Sequence, residues 1–350
     1  MHKKYDTSVV IGRFQGLHDA HTALLFEAGM IADTVVVNIG SAFQPRTHKN
    51  PWTAAERALM LKPILADLAK RTGAEYVVEY VIDTLYDYDG WITRIQQNVA
   101  KHANANDAIV LIGHHKDAET AEYLRMFPQW DDVNVPLAQV LDATMIRELY
   151  FQRNYNRNFL VGCVPGTVLE WMDDFRKTEA FEYIMEGKRV VENRRKQYAN
   201  LPYPMLAVTV DAVVTCDGHI LLIQRKSHPG KDLWALPGGY FDTVKDDEPV
   251  DGIVRELDEE TMIDVPAKVI RGSIVEIKTF SHKNRSLLGR SITHAGRIVL
   301  HRVNGKFPKV KGADDAKRAK WVPYNEVKKE LLFDDHYDII THWIPLPTAW

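Results

Sequence analysis

The chain has 350 residues, of which 45% are hydrophobic and 26% are charged, and its formal net charge is −3. A chain of this length is long for one hydrophobic core, so we expect two domains. The slightly negative net charge argues against a protein that binds nucleic acid through a general basic surface. The two cysteines, Cys163 and Cys216, lack metal-site spacing. No signal peptide or apolar run of about 20 residues is evident, so we expect a cytoplasmic protein without membrane segments.

Short β-branched runs alternate with helical patterns in the first half. This alternation predicts an α/β domain with a parallel sheet and helices on both faces. Ligands of such sheets bind at the carboxyl ends of the strands. The predicted strands are 8–12, 34–39, 75–82 and 108–113, and the predicted helices are 20–31, 53–71, 91–102 and 118–127.

One continuous helical pattern covers 166–198, and the prolines of 201–204 break it. We therefore predict a first domain over 1–165, a helical linker over 166–202 and a second domain over 203–350. The basic cluster near the end of this helix is interpreted as a solvated face rather than a site for an anionic partner.

The second half has the pattern of an α+β domain. Two strands are predicted around the turn Asp217-Gly218, and an acidic helix follows. The predicted strands are 205–216, 219–225, 268–278, 291–303 and 320–322, and a closing helix is predicted over 334–343.

Two predicted helix starts in the first half carry groups suited to phosphate. The first strand leads into Gly12-Arg13-Phe14-Gln15, and His18 and His21 follow at the start of a helix. Free N–H groups and the helix dipole attract phosphate there. The second helix start has Thr144 as its predicted N-cap and Arg147 in its first turn. Each feature alone is typical of a surface, but together they predict a triphosphate site.

The most specific feature of the second half is a set of three carboxylates after Gly238-Gly239. Glu256, Glu259 and Glu260 stand at i, i+3 and i+4, so they share one helical face. A hard divalent cation would neutralise such a cluster, and glycine would let backbone approach the metal or a diphosphate. The alternative is a solvated acidic face.

The order from Gly239 to Ile263 resembles the Nudix box of hydrolases that cleave diphosphates linked to another moiety. The spacer is two residues longer than usual, Asp247 replaces Glu and Met262 replaces Gly. The box implies a Nudix fold. Residues 228–231, 234–237, 285–287 and 309–312 resemble the ADP-ribose pyrophosphatase branch of Nudix enzymes, which implies hydrolysis of ADP-ribose to AMP and ribose 5-phosphate. The box also implies Mg²⁺ or Mn²⁺ at Glu256, Glu259, Glu260 and the Gly238 carbonyl, with Glu256 and Glu260 catalytic. Asp314 and Asp315 are candidates for the general base, and the alternative is that they belong to an exposed polar loop.

The first half resembles the His-x-Gly-His adenylyltransferases with their Ser/Thr-x-x-Arg signature, although Ala20 and Ala143 replace the usual Gly and Ser. Residues 50–57 and 113–117 narrow the resemblance to nicotinamide mononucleotide (NMN) adenylyltransferases. This implies a Rossmann-like nucleotidyltransferase domain that uses ATP as co-substrate and makes NAD and pyrophosphate. The implied catalytic residues are His18, His21 and Arg147. The implied nucleotide contacts are Gly12, Arg13, Phe14, Lys116 and Thr144. Trp91 is the candidate for stacking on the nicotinamide ring, and the alternative is that it faces the core from an amphipathic helix.

The two halves in this order resemble the bifunctional adenylyltransferase–Nudix proteins of bacteria and their phages. The resemblance implies an enzyme of NAD metabolism whose partners are NMN, ATP, NAD and ADP-ribose, without nucleic acid or membrane. Two alternatives stay open: a Nudix half that only senses ADP-ribose or NAD or cleaves another nucleoside diphosphate derivative, and an adenylyltransferase for nicotinate mononucleotide or phosphopantetheine. A homo-oligomer and coupling between the sites are also left open.

Overall fold

The computed structural model describes residues 3–114, 125–136 and 142–346. The chain divides into two compact units, 1–185 and 186–350. The division falls inside a helix, Glu179–Tyr198. The predicted domain limits at 165 and 203 stay a prediction.

A parallel sheet forms the centre of the first unit. In the described residues it has five strands in the order β3-β2-β1-β4-β5. The α/β prediction is confirmed, but β5 was not predicted because it contains a single apolar residue, Val133. The strands are β1 (Tyr5–Gly12), β2 (Ala32–Ile39), β3 (Glu75–Tyr80), β4 (Ile109–Gly113) and β5 (Asp131–Asn134).

Helices cover both faces of this sheet. Successive residues of β1 point to opposite faces, so Val10 packs with Leu25 and Val9 packs with Ile95 in separate clusters. The helix predicted over 118–127 lies largely outside the described residues. The helices are α1 (Asp19–Ile31), α2 (Ala54–Thr72), α3 (Tyr88–Ala100), α4 (Ala143–Tyr150) and α5 (Gly166–Phe175), with a 3₁₀ turn at Arg157–Phe159.

The single helix predicted over 166–198 is wrong. It is two helices, α5 and α6 (Glu179–Tyr198). Thr178 accounts for the break, because its hydroxyl donates to the Phe175 carbonyl at 2.7 Å and accepts from the Phe181 N–H at 3.2 Å. One side chain thus satisfies backbone groups at the end of one helix and the start of the next.

A mixed sheet forms the centre of the second unit, with β10-β11-β6-β7-β12 as its described path. β11 runs parallel to β6, and the other pairs are antiparallel. The predicted hairpin is confirmed, with Asp217 at φ 42° and Gly218 at φ 80°. The strands are β6 (Ala207–Cys216), β7 (His219–Arg225), β8 (Trp234–Ala235), β9 (Gly238–Tyr240), β10 (Ile274–Phe280), β11 (Ser291–Leu300) and β12 (Ala316–Pro323).

The helices of the second unit pack on this sheet. Ile253 and Leu257 bury one side of the first helix against Val210 and Ile298, so its acidic residues take the other side. The continuous strand predicted over 268–278 is wrong, because a helix starting after Pro266 occupies its first half. The helices are α7 (Pro249–Thr261), α8 (Ala267–Gly272) and α9 (His336–Trp343), with 3₁₀ turns at Tyr324–Glu326 and Lys329–Leu331.

Across the three described ranges, no helix is both long enough and apolar enough to cross a membrane.

Candidate active sites

The loop between β1 and α1 holds the two predicted histidines together. His18 is 4% exposed, and its backbone N–H donates to Nδ1 of His21 at 3.3 Å. The two imidazole centroids are 3.8 Å apart, and the Phe14 ring lies 5.1 Å from His21. Because Nδ1 of His21 accepts a hydrogen bond, the neutral ring carries its proton on Nε2. That N–H is suited to donating to a phosphate oxygen.

Gly12 packs closely beneath Phe14, because a Cβ at this position would lie 3.0 Å from the Phe14 ring and the ring would have to shift. Phe14 itself is 1% exposed and has φ 51°, so it is held in a left-handed backbone conformation. The loop after β1 is therefore closely packed. Arg13 is exposed at the same loop.

The start of α4 packs against this loop. Its N-cap is Asp142, whose Oδ1 accepts from the N–H groups of Thr144 (2.8 Å) and Met145 (2.9 Å). The predicted N-cap, Thr144, is therefore wrong, because a carboxylate two residues earlier satisfies those donors. Thr144 instead accepts from Nη2 of Arg147 at 3.2 Å, and Nη1 of Arg147 donates to the Gln15 carbonyl at 2.6 Å.

Arg147 is therefore a buried cation that links the two helix starts. It is 6% exposed, and burial lowers its pKa to about 10, so it remains charged at neutral pH. Gly16 has φ +91°, and a Cβ there would come within 3.2 Å of the Ala143 carbonyl. The structure thus brings His18 and His21 into one loop region with Arg147 and Thr144.

Sequence reasoning missed Arg57, a fully buried residue of α2. Its Nη1 donates to the carbonyls of Arg13 and Gly40, and its Nη2 donates to the Ser41 carbonyl at 3.0 Å. The bond to Gly40 is 2.6 Å long. Arg57 thereby ties the loop after β1 to the loop after β2. It stands at the end of the 50–57 motif, which is the signal that could have identified it.

Two further predicted residues lie apart from this group. Lys116 is outside the described residues. Trp91 belongs to α3 and packs with Phe127, with ring centroids 6.1 Å apart, in the cluster that also contains Val9. Phe14 belongs to the other cluster, so Trp91 packs on the opposite face of the sheet from Phe14. Its stacking on nicotinamide stays a prediction.

In the second unit, Glu256 and Glu260 reach the strand β9 from α7. The Gly238 N–H donates to Oε2 of Glu260 at 2.8 Å, and a Cβ at Gly239 would come within 2.7 Å of the Glu256 carboxylate. Burial raises the pKa of Glu260 to about 8 and also raises the pKa of Glu256. Glycine is required at position 238, because a Cβ there would come within 2.3 Å of the Val210 carbonyl oxygen.

Arg255 organises the acidic side of α7. Its guanidinium donates to both carboxylate oxygens of Asp246, at 2.9 and 2.8 Å, and to Glu256 (2.8 Å) and Glu259 (3.0 Å). These carboxylates hold the pKa of Arg255 above its usual range. The buried acid that faces Arg255 is thus Asp246, whereas Asp247 is exposed. Glu259 lies on the more exposed side of the group.

A cavity of about 560 Å³ opens beside this group. Its volume lies in the usual range for small-molecule sites. Of the two candidate general bases, Asp315 lines this cavity, whereas Asp314 is not among the described lining residues. Its polar lining includes Gly238, Glu260, Asp211, Arg285, Asp334 and His336.

A buried ionic network forms the wall of this cavity. Arg285 is bonded to both oxygens of Asp335, each at 3.0 Å, and lies 3.9 Å from Asp211. Thr293 donates to Asp211 at 2.5 Å. Asp334 is half-buried, and burial together with the charge of Asp335 raises its pKa to about 7. Local sequence spacing does not reveal this network, because its members come from distant segments.

The carboxylates fit a divalent cation chemically. In the described part of the chain, no three His, Cys, Asp or Glu side chains form a ready-made metal cluster. Glu256 and Glu260 nevertheless flank the same glycine strand, and burial raises both pKa values. Charging both groups is costly unless a cation neutralises them. Carboxylate oxygens are the ligands that Mg²⁺ and Mn²⁺ prefer.

The fold and the two sites define a nucleotidyltransferase joined to a diphosphate hydrolase, and comparison with known proteins agrees. The cytidylyltransferase-like family model matches residues 9–204, and the NUDIX domain model matches residues 205–343. The nicotinamide/nicotinic acid mononucleotide adenylyltransferase of Acinetobacter baylyi is 30% identical over 191 residues, which are 54% of this chain and 97% of that protein. The ADP-ribose pyrophosphatase of Methanocaldococcus jannaschii is 33% identical over 159 residues, covering 45% and 84%.

Solved structures match nearly the whole chain, and one of them is described here. It is a bifunctional NMN adenylyltransferase/ADP ribose pyrophosphatase from Francisella tularensis, complexed with AMP and a manganese ion. It is 31% identical, covers 97% of this chain and 98% of its own, and has a TM-score of 0.84. The present chain therefore belongs to the family of bifunctional NMN adenylyltransferase/ADP-ribose pyrophosphatases. The predicted resemblance is confirmed.

Proposed function

We propose that this chain is an enzyme of NAD metabolism that joins NMN and ATP into NAD and hydrolyses ADP-ribose. The observation that supports it most strongly is the pairing of two sites in one chain. His18, His21 and Arg147 meet at two helix starts, and Glu256 and Glu260 meet at a glycine strand.

In the first site, the 5′-phosphate oxygen of NMN attacks the α-phosphorus of ATP. A new P–O bond forms, the α–β bridge breaks and pyrophosphate leaves, so no covalent enzyme intermediate is needed. The Nε2–H of His21 would donate to the phosphate oxygens, and His18 holds the His21 ring in place. Arg147 and the Thr144 hydroxyl would hold the leaving pyrophosphate. Catalysis then consists of positioning and charge stabilisation.

In the second site, Glu256, Glu259 and Glu260 would hold Mg²⁺ or Mn²⁺, and Arg255 orients the carboxylates. A divalent cation bound there would offset charge on the diphosphate and make water a better nucleophile. A water oxygen attacks one phosphorus of ADP-ribose, and the bridging P–O bond breaks to give AMP and ribose 5-phosphate. Asp334 and Asp315 line the cavity and are the proposed proton acceptors, with Asp334 favoured by its pKa of about 7.

The test is product analysis by chromatography in the presence of Mg²⁺. One reaction holds NMN and ATP, a second replaces NMN with nicotinate mononucleotide, and a third holds ADP-ribose alone. NAD in the first and AMP with ribose 5-phosphate in the third are expected. NAD without AMP would recast the second unit as a sensor or a hydrolase of another diphosphate. AMP without NAD would contradict the proposed acceptor.

A further inference from the structure

The strand β3 forms one edge of the parallel sheet in the first unit. It pairs with β2 from Glu75 to Tyr80 without a register shift, and no other described strand pairs with it. Edge strands usually carry a lysine, a proline or a bulge that prevents pairing with another chain. The sequence of β3, Glu-Tyr-Val-Val-Glu-Tyr, has none of these. The outer row of its backbone groups can therefore pair with a further strand.

An apolar groove of about 590 Å³ lies between α2 and the face of β3 that carries Tyr76, Val78 and Tyr80. Leu59 of α2 is 60% exposed and Tyr80 is 41% exposed. Lys62 is the only charged residue among the described residues that line the groove. Small side chains flatten the surface of α2 beside it, at Ala55, Ala58, Ala66 and Ala69. An exposed apolar surface next to an unprotected strand edge is typical of a protein–protein interface.

The sequence of β3 favours pairing with a second copy of itself. Two copies related by a twofold axis perpendicular to the sheet pair in antiparallel fashion, and each residue then lies opposite a residue on the same face. Such an axis passes beside one residue of β3. With the axis at Val78, this residue lies opposite Val78 of the partner subunit, and Tyr76 lies opposite Tyr80 of the partner subunit. Cross-strand pairs of β-branched and aromatic residues stabilise a sheet.

The glutamates of β3 decide between the two registers that pair the most residues. An axis at Val77 would place Glu75 opposite Glu79 of the partner subunit, and like charges directly opposite each other destabilise a sheet. The register centred one residue later avoids this contact, because Glu79 then lies opposite Val77 of the partner subunit. Glu79 also accepts from Lys101 and pairs with His102 of its own chain, each at 2.8 Å. Charge therefore selects the register centred on the next valine.

We propose that β3 and α2 form a homodimer interface in which two copies of this chain pair through β3 about an axis at Val78. The two parallel sheets would join into one sheet across the axis. Because the twofold axis keeps both copies of α2 on the same face of that sheet, their alanine-rich surfaces would pack together and close the groove. The interface does not depend on either proposed activity.

The first test is analytical ultracentrifugation of the full-length chain over a range of protein concentrations. Wild-type protein should form a dimer with about twice the 40.0 kDa mass of one chain. Leu59→Glu brings a carboxylate from each copy to the interface and should raise the dimer dissociation constant at least about 100-fold. Leu331→Glu is the matched control, because Leu331 is 45% exposed and is not among the described residues that line the groove. A monomeric wild type, or an unchanged dissociation constant in Leu59→Glu, would overturn the interface.

A cysteine at the axis tests the register. In the Val78→Cys dimer the two Cα atoms would lie about 4.5–5.5 Å apart, which suits a disulfide, so mild oxidation should link the two chains. Val77→Cys is the matched control, because its two Cα atoms would lie about 8 Å apart, which is too far for a disulfide. Wild-type protein, which carries Cys163 and Cys216, gives the background on a non-reducing gel. Absence of the link in Val78→Cys, or equal linking in Val77→Cys, would overturn the pairing through β3.

Discussion

The backbone N–H of Leu236 donates a 2.8 Å hydrogen bond to Nδ1 of His336, which lies 100 residues later in the chain. Leu236 precedes the strand that carries Gly238, and the Pro237 carbonyl accepts from the Ala212 N–H at 2.8 Å. The first residue of α9 therefore helps to place the glycine strand against Glu260. Burial lowers the pKa of His336 to about 3, so the ring is neutral and can accept this bond at physiological pH.

His336→Ala should weaken ADP-ribose hydrolysis, because the buried Leu236 N–H would lose its acceptor. We expect kcat/KM to fall about 10- to 100-fold and the second unit to lose about 1–3 kcal/mol of unfolding free energy. His336→Asn offers an oxygen near the Nδ1 position and should recover most of the activity. An asparagine variant as inactive as alanine would argue against this positioning role. NAD synthesis measured on the same samples serves as the control.

Glu260→Gln should reduce ADP-ribose hydrolysis by more than about 100-fold and leave NAD synthesis intact. Glutamine can still accept from the Gly238 N–H, so the change removes charge rather than structure. Glu259→Gln is the matched variant on the more exposed side of α7, and it should reduce ADP-ribose hydrolysis less than Glu260→Gln does. The two activities are measured separately on each protein. Loss of both activities in folded Glu260→Gln would contradict two independent sites.

Stability without metal should depend on pH through Glu260. Its folded pKa of about 8 lies above the ordinary 4.5, so between these values the folded state binds more protons than the unfolded state. Stability contributed by this group is therefore present below pH 4.5 and is lost as pH rises through 8. In EDTA, the wild-type melting temperature of the second unit should fall more steeply from pH 5 to 9 than that of Glu260→Gln. Equal slopes would contradict the raised pKa.

His21→Ala should lower NAD synthesis about 100-fold or more while ADP-ribose hydrolysis continues. The imidazole Nε2–H is the donor that this change removes.

Arg147→Lys keeps a charge but cannot bond the Gln15 carbonyl and Thr144 at once, so it should mainly raise KM for ATP. Steady-state kinetics with ATP varied separates the two effects. An unchanged KM for ATP in Arg147→Lys would place Arg147 outside the triphosphate site.

Arg57→Lys should lower NAD synthesis about 10-fold and destabilise the first unit by about 1–3 kcal/mol. A single ammonium cannot reach the carbonyls of Arg13, Gly40 and Ser41 together, so the loops after β1 and β2 would separate. Arg71→Lys is the matched control on the same helix, because Arg71 makes an exposed ion pair of 3.4 Å with Asp67. Denaturant unfolding and NAD formation are the measurements. Equal effects of Arg57→Lys and Arg71→Lys would refute the conclusion that Arg57 ties the loop after β1 to the loop after β2.

Local patterns determined most elements of both units. The β-branched runs predicted β1 and β2, and the turn Asp217-Gly218 predicted the hairpin, because these signals depend on neighbouring residues. The spacing of Glu256 and Glu260 likewise predicted that the two side chains share one helical face. The break at Thr178 and the helix after Pro266 were missed, since a single side-chain or proline effect overrode the wider pattern.

Tertiary structure alone decided which groups are buried and what they contact. The sequence placed Asp246 and Asp247 side by side, but only folding shows that Asp246 faces Arg255. The sequence also could not connect His336 with Leu236 or Arg194 with Tyr240. These partners are separated by 100 and 46 positions, so no local spacing indicates the contact. Burial then sets the charge state of Glu260, since desolvation depends on atoms that the whole fold brings around it.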